Sequence, residues 1–589
     1  MIYSIKMKLV SIKYTIATII TVMLTLTSCN KLFDDGPYNK ISENMVWTNS
    51  MLLDEYVNGW YRHMSHGFKT LVPTHALLKG VSRYYLPWFG DQLSVGNTDW
   101  FNAGYGDILK ANESSITLWA QNTWSSHYNQ IQYINTYFEH SQNVTDSEQR
   151  RRIDGEAHFM RAYYYYMLWR SYGGVFIIDH TFDPLKKDEK FPRASYDQMV
   201  AFIVAEADKA ADLLPIEHED IHLGRVTRGA AIMLKAKTYL WASSDVFQNK
   251  QKSYLGFTDD KSVEMLDKAK KAYEELFNLK SYSLIPITET TQDGIKNEYR
   301  KIFLTKNSQE SIFEIQHSDD GDYANKFGHK LDRDAASPFF TGTTAAYTPT
   351  HNHVMEYGMR DDMTYDEKNP YENRDYRFYA NVLYHGAVFR NHVMDIATTD
   401  GVAGEDITKY GTSTTAAVSR TGYYLGKFVD EGTTIDNNET FASSQNYIIW
   451  RYAEALLDYA EVMFRLGETA TALAYVNQVR ERVHMAPLTD ITWDKITNER
   501  RIEMAFEETT YWDHLRWGVA VEKLNGQSNP LKKVIITIVN ADTTYTIDNL
   551  NGRFPGRVRV FQKKQYYLPI PWADIKYHGV EQNPDWTEV

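Results

Sequence analysis

The chain of 589 residues is 43% hydrophobic and carries a net charge of −13, which is ample for a large core and argues against nucleic acid as a partner. Aromatics make up 14%, led by 42 tyrosines; most belong on the packed faces of helices, and the remainder are suited to stacking on flat ligands. A single cysteine excludes an intrachain disulfide, and no Ser/Gly/Pro linker is long enough to divide the chain, which points to one large body with excursions.

Lys6, Lys8 and Lys13 precede an apolar run over 16–26 and then Leu26-Thr27-Ser28-Cys29. This is the pattern of a secretory signal with a small-residue cleavage site, too short for a membrane span. Its ending resembles a bacterial lipobox, in which the cysteine is diacylated and becomes the first residue. Residues 1–28 are therefore expected to be a signal peptide, and 29–45 a lipidated Cys29 with its tether, the acyl chains supplying the membrane anchor. Asn30 and Asp34-Asp35 look like the acidic tether of surface-exposed lipoproteins of the Bacteroides group.

A helical region is expected over 46–283. Within it, 70–108 dissolves into Gly, Pro, Asn and aromatics, including Trp88, Asp91, Asn97, Asp99, Trp100 and Tyr105. A long irregular stretch with this many large aromatics reads as a binding loop rather than a disordered one. Helical periodicity resumes over 116–140. From Gly155 the chain runs GEAHFMRAYYYYMLWRSYGGVFII, a helix apolar or aromatic on nearly every face, which must be covered on most sides. Gly173-Gly174 stops it, and Val175 to Ile178 forms an extended apolar exit. Helices are next expected from Ser195 to Pro215 and from Gly224 through Ser243, the latter paired with one over 262–277.

Residues 284–447 are the least helical part, with turn formers alternating with aromatics, among them Tyr323, Phe339, Phe340 and Tyr347. The region 448–589 returns to helix: RYAEALLDYAEVMFRLG followed by ETATALAYVNQVRERV makes a second hairpin closed by Gly467. A helix–turn–helix near 34 residues long, with Ala and aromatics at its contacts, is a diluted tetratricopeptide pattern. Glu499-Arg500-Arg501-Ile502-Glu503 and Asp513-His514-Leu515-Arg516-Trp517 begin further helices. The end, with Pro569, Pro571 and Gln582-Asn583-Pro584, is an extended tail that must lie across something.

Five separated motifs resemble the SusD/RagB family of nutrient-binding outer-membrane lipoproteins: the lipobox, the central helix from Glu156 to Val175, Arg451-Tyr452-Ala453-Glu454, the Glu499 to Trp517 segment, and the proline-set tail. His514 after Asp513 and Phe176 after Val175 depart from the usual pattern without breaking it. The resemblance implies a mainly α fold, a tetratricopeptide-like helical hairpin scaffold with a loop-rich ligand-binding face. It implies a lipid-anchored protein of the outer membrane that captures oligosaccharides or polysaccharides, hands them to a SusC-like TonB-dependent outer-membrane transporter, and cleaves nothing. It also implies glycan contacts at Trp100, with Trp88 and Tyr105 as neighbours, and at Tyr323, Phe339, Phe340 or Tyr347. Pyranose C–H faces pack on such rings, and Asn97 and Asp99 beside Trp100 supply hydroxyl partners. Peptide cargo within the same family is the alternative, and a secreted hydrolase the more distant one.

Three enzyme-like or metal-like motifs carry less. His218-Glu219-Asp220-Ile221-His222 matches the zincin string, but lies between Pro215 and Gly224, where a loop would not hold both histidines on one helical face. Glu499, Glu503 and Glu507 share a helix face on an i, i+4 spacing, yet are interleaved with Arg500 and Arg501 as in a structural ion-pair network. Asp319, Asp320 and Asp322 lack the ligand spacing of an EF-hand loop. No cofactor or metal is called for.

Overall fold

The computed structural model of the chain describes residues 43–64, 67–68, 90–94, 113–182, 189–318, 328–340, 345–360, 363–408, 418–433, 435, 443–550 and 559–588. The leader, Cys29, the expected tether up to 42, most of the early loop and the 319–323 run lie outside the described residues, and the last tether positions, 43–45, already belong to a helix, Glu43–Thr48. The chain divides into compact units 1–56 and 57–589. In the first, Trp47 packs edge-on against Tyr56 with ring centroids 5.1 Å apart.

The second unit is built from helices that each pack on the next. They are α1 (Glu113–His140), α2 (Ser147–Tyr172), α3 (Tyr196–Leu213), α4 (Arg228–Ala242) and α5 (Ser262–Asn278). Local chemistry sets their ends. Asp146 caps α2 by accepting from the Glu148 and Gln149 amides, Ser195 and Gln198 form a capping box on α3, and Thr227 caps α4. As its composition requires, α2 is buried on every side from Gly155 to Tyr172, Arg161 and Arg170 included, apart from the half-covered His158. Val175, Phe176 and Ile178 continue buried, held where Tyr165 Oη accepts from the Ile178 amide at 2.6 Å.

Gln292–Leu304 (α6) is a full helix inside the region expected to be least helical, its start capped by Thr291. The rest of that region is an excursion closed at its neck by the antiparallel pairing of Ser311–Ile315 (β1) with the fully buried Tyr447–Arg451 (β2). Because the excursion starts and ends on one strand pair, the scaffold resumes where it stopped. Tyr452–Arg465 (α7) packs on α5 and on Thr469–Arg482 (α8), with Gly467 at a φ of 84° in the turn. The two hairpins α4–α5 and α7–α8 are thus neighbours, and the fold is mainly α with tetratricopeptide-like helical hairpins.

Trp493–Glu503 (α9) and Thr510–Arg516 (α10) follow. A hairpin of Lys532–Val539 (β3) and Asp542–Asn549 (β4) was not expected from the sequence. Its signal is the continuous β-branched run Val534 to Val539 leading into Asn540-Ala541, both at positive φ. The tail lies across the end of α2: the Leu568 amide donates to Ser171 O at 2.8 Å, and Asn583 Nδ2 donates to Tyr172 O at 2.9 Å and Leu568 O at 2.7 Å. Within the tail Trp572–His578 forms a short helix that its prolines had obscured.

Candidate functional site

The early loop and the middle excursion meet. Leu93–Ser94 pairs antiparallel with Thr348–Pro349. Thr348 Oγ1 donates to Ser94 O at 2.7 Å and Thr350 Oγ1 to Asp91 O at 2.6 Å, so the stem of the loop is clamped by hydroxyls. Trp88, Asn97, Asp99, Trp100, Tyr105 and Tyr323 lie outside the described residues. Tyr347 is in the stem and only 1% exposed, and burial pushes its hydroxyl well above the ordinary value.

Phe339 and Phe340 follow the short helix Leu331–Ala335. Phe339 is 41% exposed and lies flat on the His392 imidazole, with centroids 3.6 Å apart and planes 8° apart. Phe340 meets it edge-on at 5.1 Å and packs against Phe389. His392 Nε2 is fixed by Asp406 Oδ2 at 2.8 Å, and Asp406 also accepts from the Asp395 amide and the Ser337 hydroxyl. One face of Phe339 is covered by a braced imidazole, and the opposite face makes a ledge. Phe340 supports it from the side.

A groove of about 1060 Å³ lies elsewhere in the unit, bordered by α9, α10, the segment after His351 and the root of the β3–β4 hairpin. The face of α9 that lines it is Trp493, Asp494, Thr497, Asn498 and Arg501, the i, i+4, i+8 positions and their neighbours. At its floor Arg501 donates to Asp91 Oδ1 at 3.0 Å and to Glu356 Oε1 at 2.5 Å, with His514 Nε2 3.1 Å from Arg501 Nη1. Burial works against the Asp91 charge, but Arg501 and His514 outweigh it and hold the carboxyl well below the usual range. Glu356 is lowered in the same way, burial being outweighed by Arg501 and His353. Gln92 ties loop stem to groove: its Nε2 donates to Arg501 O at 3.0 Å, and its Oε1 accepts from the Phe506 amide and Thr510 Oγ1. Sequence reasoning missed this groove. The available signal was an α9 face mixing Trp, Asp, Asn and Arg where a core helix would be apolar.

The acidic face of α9 is a structural lattice, with one correction. The helix ends at Glu503, and Phe506 and Glu508 take φ of 66° and 62°, so Glu507 leaves the shared face and turns to Lys427 at 2.6 Å and Arg451 at 2.7 Å. Glu503 is 0% exposed and accepts from Arg377 at 3.0 Å, Arg451 at 2.7 Å and Arg482. Glu499 is shared by Arg377 and Arg480. Glu499 and Glu503 are thus committed to arginines. In the zincin-like string, 220–222 forms a single 3₁₀ turn, and His218 Nε2 is 2.8 Å from Val226 O, so the two histidines do not share an α-helical face.

Two family models match the chain: one described as the SusD family over 309–586, the other as starch-binding associating with outer membrane over 83–240. SusD-like protein P2 of Formosa agariphila is 24% identical over 540 residues, covering 87% of this chain and 93% of its own. A SusD-like protein of Bacteroides fragilis superposes with a TM-score of 0.72 at 24% identity, covering 94% of this chain and 100% of that one. A second from the same organism, described as a SusD-like carbohydrate-binding protein, gives 0.68 at 21% identity, covering 90% and 98%.

Proposed function

The chain belongs to the SusD family, and from that premise we propose that it is an outer-membrane lipoprotein, lipidated at Cys29 and facing outward, that captures glycans and passes them to a SusC-like TonB-dependent transporter. The observation that carries this reading is the pairing of Leu93–Ser94 with Thr348–Pro349, because it joins the stem of one aromatic loop to the excursion that bears the other aromatics. Phe339, with one face braced by His392 and the other open, has the form needed to stack on a pyranose ring. Each such contact gives only about 1 kcal/mol, so capture depends on several rings along one face, Trp100, Trp88 and Tyr105 from the early loop among them. Asn97 and Asp99 would take the hydroxyls. The carbohydrate-binding relative from Bacteroides fragilis supports this choice of cargo. The protein binds and releases without cleaving, consistent with the commitment of Glu499 and Glu503 to arginines.

The test is affinity electrophoresis of the lipid-free chain, residues 30–589, through gels containing a panel of polysaccharides, with Trp100→Ala and Phe339→Ala alongside. The expected outcome is retardation by one glycan class, weakened by each substitution with the circular dichroism spectrum unchanged. Retardation by no glycan, or binding of peptides in its place, would overturn the reading.

A further inference from the structure

We propose that the groove along α9 is a second carbohydrate site, separate from the Phe339 ledge, that takes a short neutral oligosaccharide. Its volume, about 1060 Å³, is at the upper end of the range for small-molecule sites, roughly 300–1,000 Å³, and exceeds what one sugar ring would need. The wall is aromatic, and its rings are braced by neighbouring side chains. Trp493 and Trp517 are half-buried and meet edge to face at 5.8 Å; Phe464 backs Trp493 at 6.3 Å. The indole N–H of Trp517 donates to Glu461 Oε2 at 3.2 Å, and the Arg516 guanidinium sits 5.0 Å from its ring centre. Two indoles fixed from behind, bordering a wide groove, offer C–H stacking surface without an ordering cost.

Polar groups stand beside the wall at the spacing of one helical face. Asp494, Thr497 and Asn498 project from the same turns of α9 as Trp493, and Glu356 closes the floor. Glu356 and Asp91 are ionised acceptors held in place by Arg501, well suited to hydroxyl donors. The charges also define the ligand by what they leave over. Arg501 is shared between two carboxylates, and Lys523 pairs with Glu522 at 3.1 Å. Asp494 and Lys532 remain as one charge of each sign. A phosphate, sulfate or uronate would find no uncommitted cluster of cations here, whereas a neutral polyhydroxyl ligand finds rings, carboxylates and amides.

The inference shares its ligand class with the proposed function but not its site, and the two fail separately. The intact lipoprotein in mild detergent is titrated by calorimetry with maltohexaose, cellohexaose, laminarihexaose and mannohexaose, and with oligogalacturonate as a charged control. Six chains are compared: unchanged, Trp100→Ala/Phe339→Ala, Trp493→Ala, Asn498→Trp, and the double variant carrying each of the two groove substitutions in addition. Asn498→Trp places a bulky ring in the groove from an exposed position and so does not depend on the fate of a packed tryptophan. The expected result is that the ledge double variant still binds at least one neutral hexaose. That residual binding falls by about ten-fold or more when either groove substitution is added, since a ring contact of about 1.4 kcal/mol is worth one decade, and oligogalacturonate does not bind. If the unchanged chain binds and the ledge variant binds nothing, the groove proposal fails and the proposed function stands. Residual binding that survives both groove substitutions also overturns it. Groove-dependent binding that the ledge substitutions leave untouched would instead overturn the ledge, and a chain that binds no saccharide overturns both.

Discussion

Glu503 shows what one side chain does in this fold. Burial works against its charge, but Arg482, Arg451, Arg377 and Lys427 outweigh it and keep the carboxylate well below the ordinary range. Replacing Glu503 with Gln leaves three buried guanidinium groups short of a counter-charge, and we expect a loss of about 3–5 kcal/mol in urea unfolding; a loss below about 1 kcal/mol would show that the lattice tolerates a neutral member. His351 gives a pH-dependent counterpart. Burial first, then Lys532 and Arg374, brings its imidazole down to about 4, while an unfolded histidine titrates near 6.5. Between these values the unfolded chain takes up a proton that the folded chain refuses, so stability falls as pH drops from about 6.5 to about 4, by up to about 3 kcal/mol. His351→Gln, which retains a partner for Tyr423 Oη, is expected to flatten that part of the pH profile of unfolding midpoints, and an unchanged slope would assign the loss to other groups.

At the scale of elements, the double glycine after α2 is held by its surroundings more than by its turn. A Cβ on Gly173 would stand 2.4 Å from Tyr254 O, and one on Gly174 would stand 1.9 Å from Ala194 O. The Gly174 amide donates to Tyr254 O at 2.6 Å, so the segments entering α3 and preceding α5 both close on this point, with the tail across it. Gly467 serves as contrast: its φ is 84°, yet nothing lies within 4 Å of a Cβ there. Gly467→Ala should cost only the left-handed strain, about 1–2 kcal/mol. Gly174→Ala should cost clearly more, because backbone must move, and should loosen the tail, read as faster exchange of the Leu568 amide. Equal thermal shifts for the two variants would refute this account. Both glycines of the stop are legible in the sequence, but the reason for the second is a contact with residue 194 that no local pattern contains.

At the scale of the molecule, the helical stack is interrupted between α5 and α7 and resumed with the two in contact, which the β1–β2 neck makes possible. The excursion therefore leaves and rejoins the scaffold at one place, a division suited to a binding protein, while Arg377 and Lys427 tie it to Glu499, Glu503 and Glu507. The anchor belongs to the same scale. Cys29→Ser is expected to release the protein from the outer-membrane fraction to a soluble one while leaving the thermal transition of the body unchanged; a protein that stays with the membrane would require another means of attachment.

The sequence by itself indicated the central helix with its double-glycine stop, the helical hairpin pairs and the family, because these rest on spacing within a few turns of chain, but it missed α6 and the short helix in the tail. It also indicated that the α9 acids pair with arginines, though not that Glu507 would leave the helix. Only the tertiary structure decided that Tyr347 is enclosed while Phe339 keeps an open face, since each depends on what the excursion folds against. Only it assembled Asp91, Glu356, Trp493, Arg501 and Trp517 around one groove. Asp91 and Glu356 are remote in sequence from each other and from the 493–517 segment, and their proximity follows from the Leu93–Ser94 pairing and from Gln92 bridging the loop stem to the turn after α9, long-range contacts that leave no periodicity in the chain to be read.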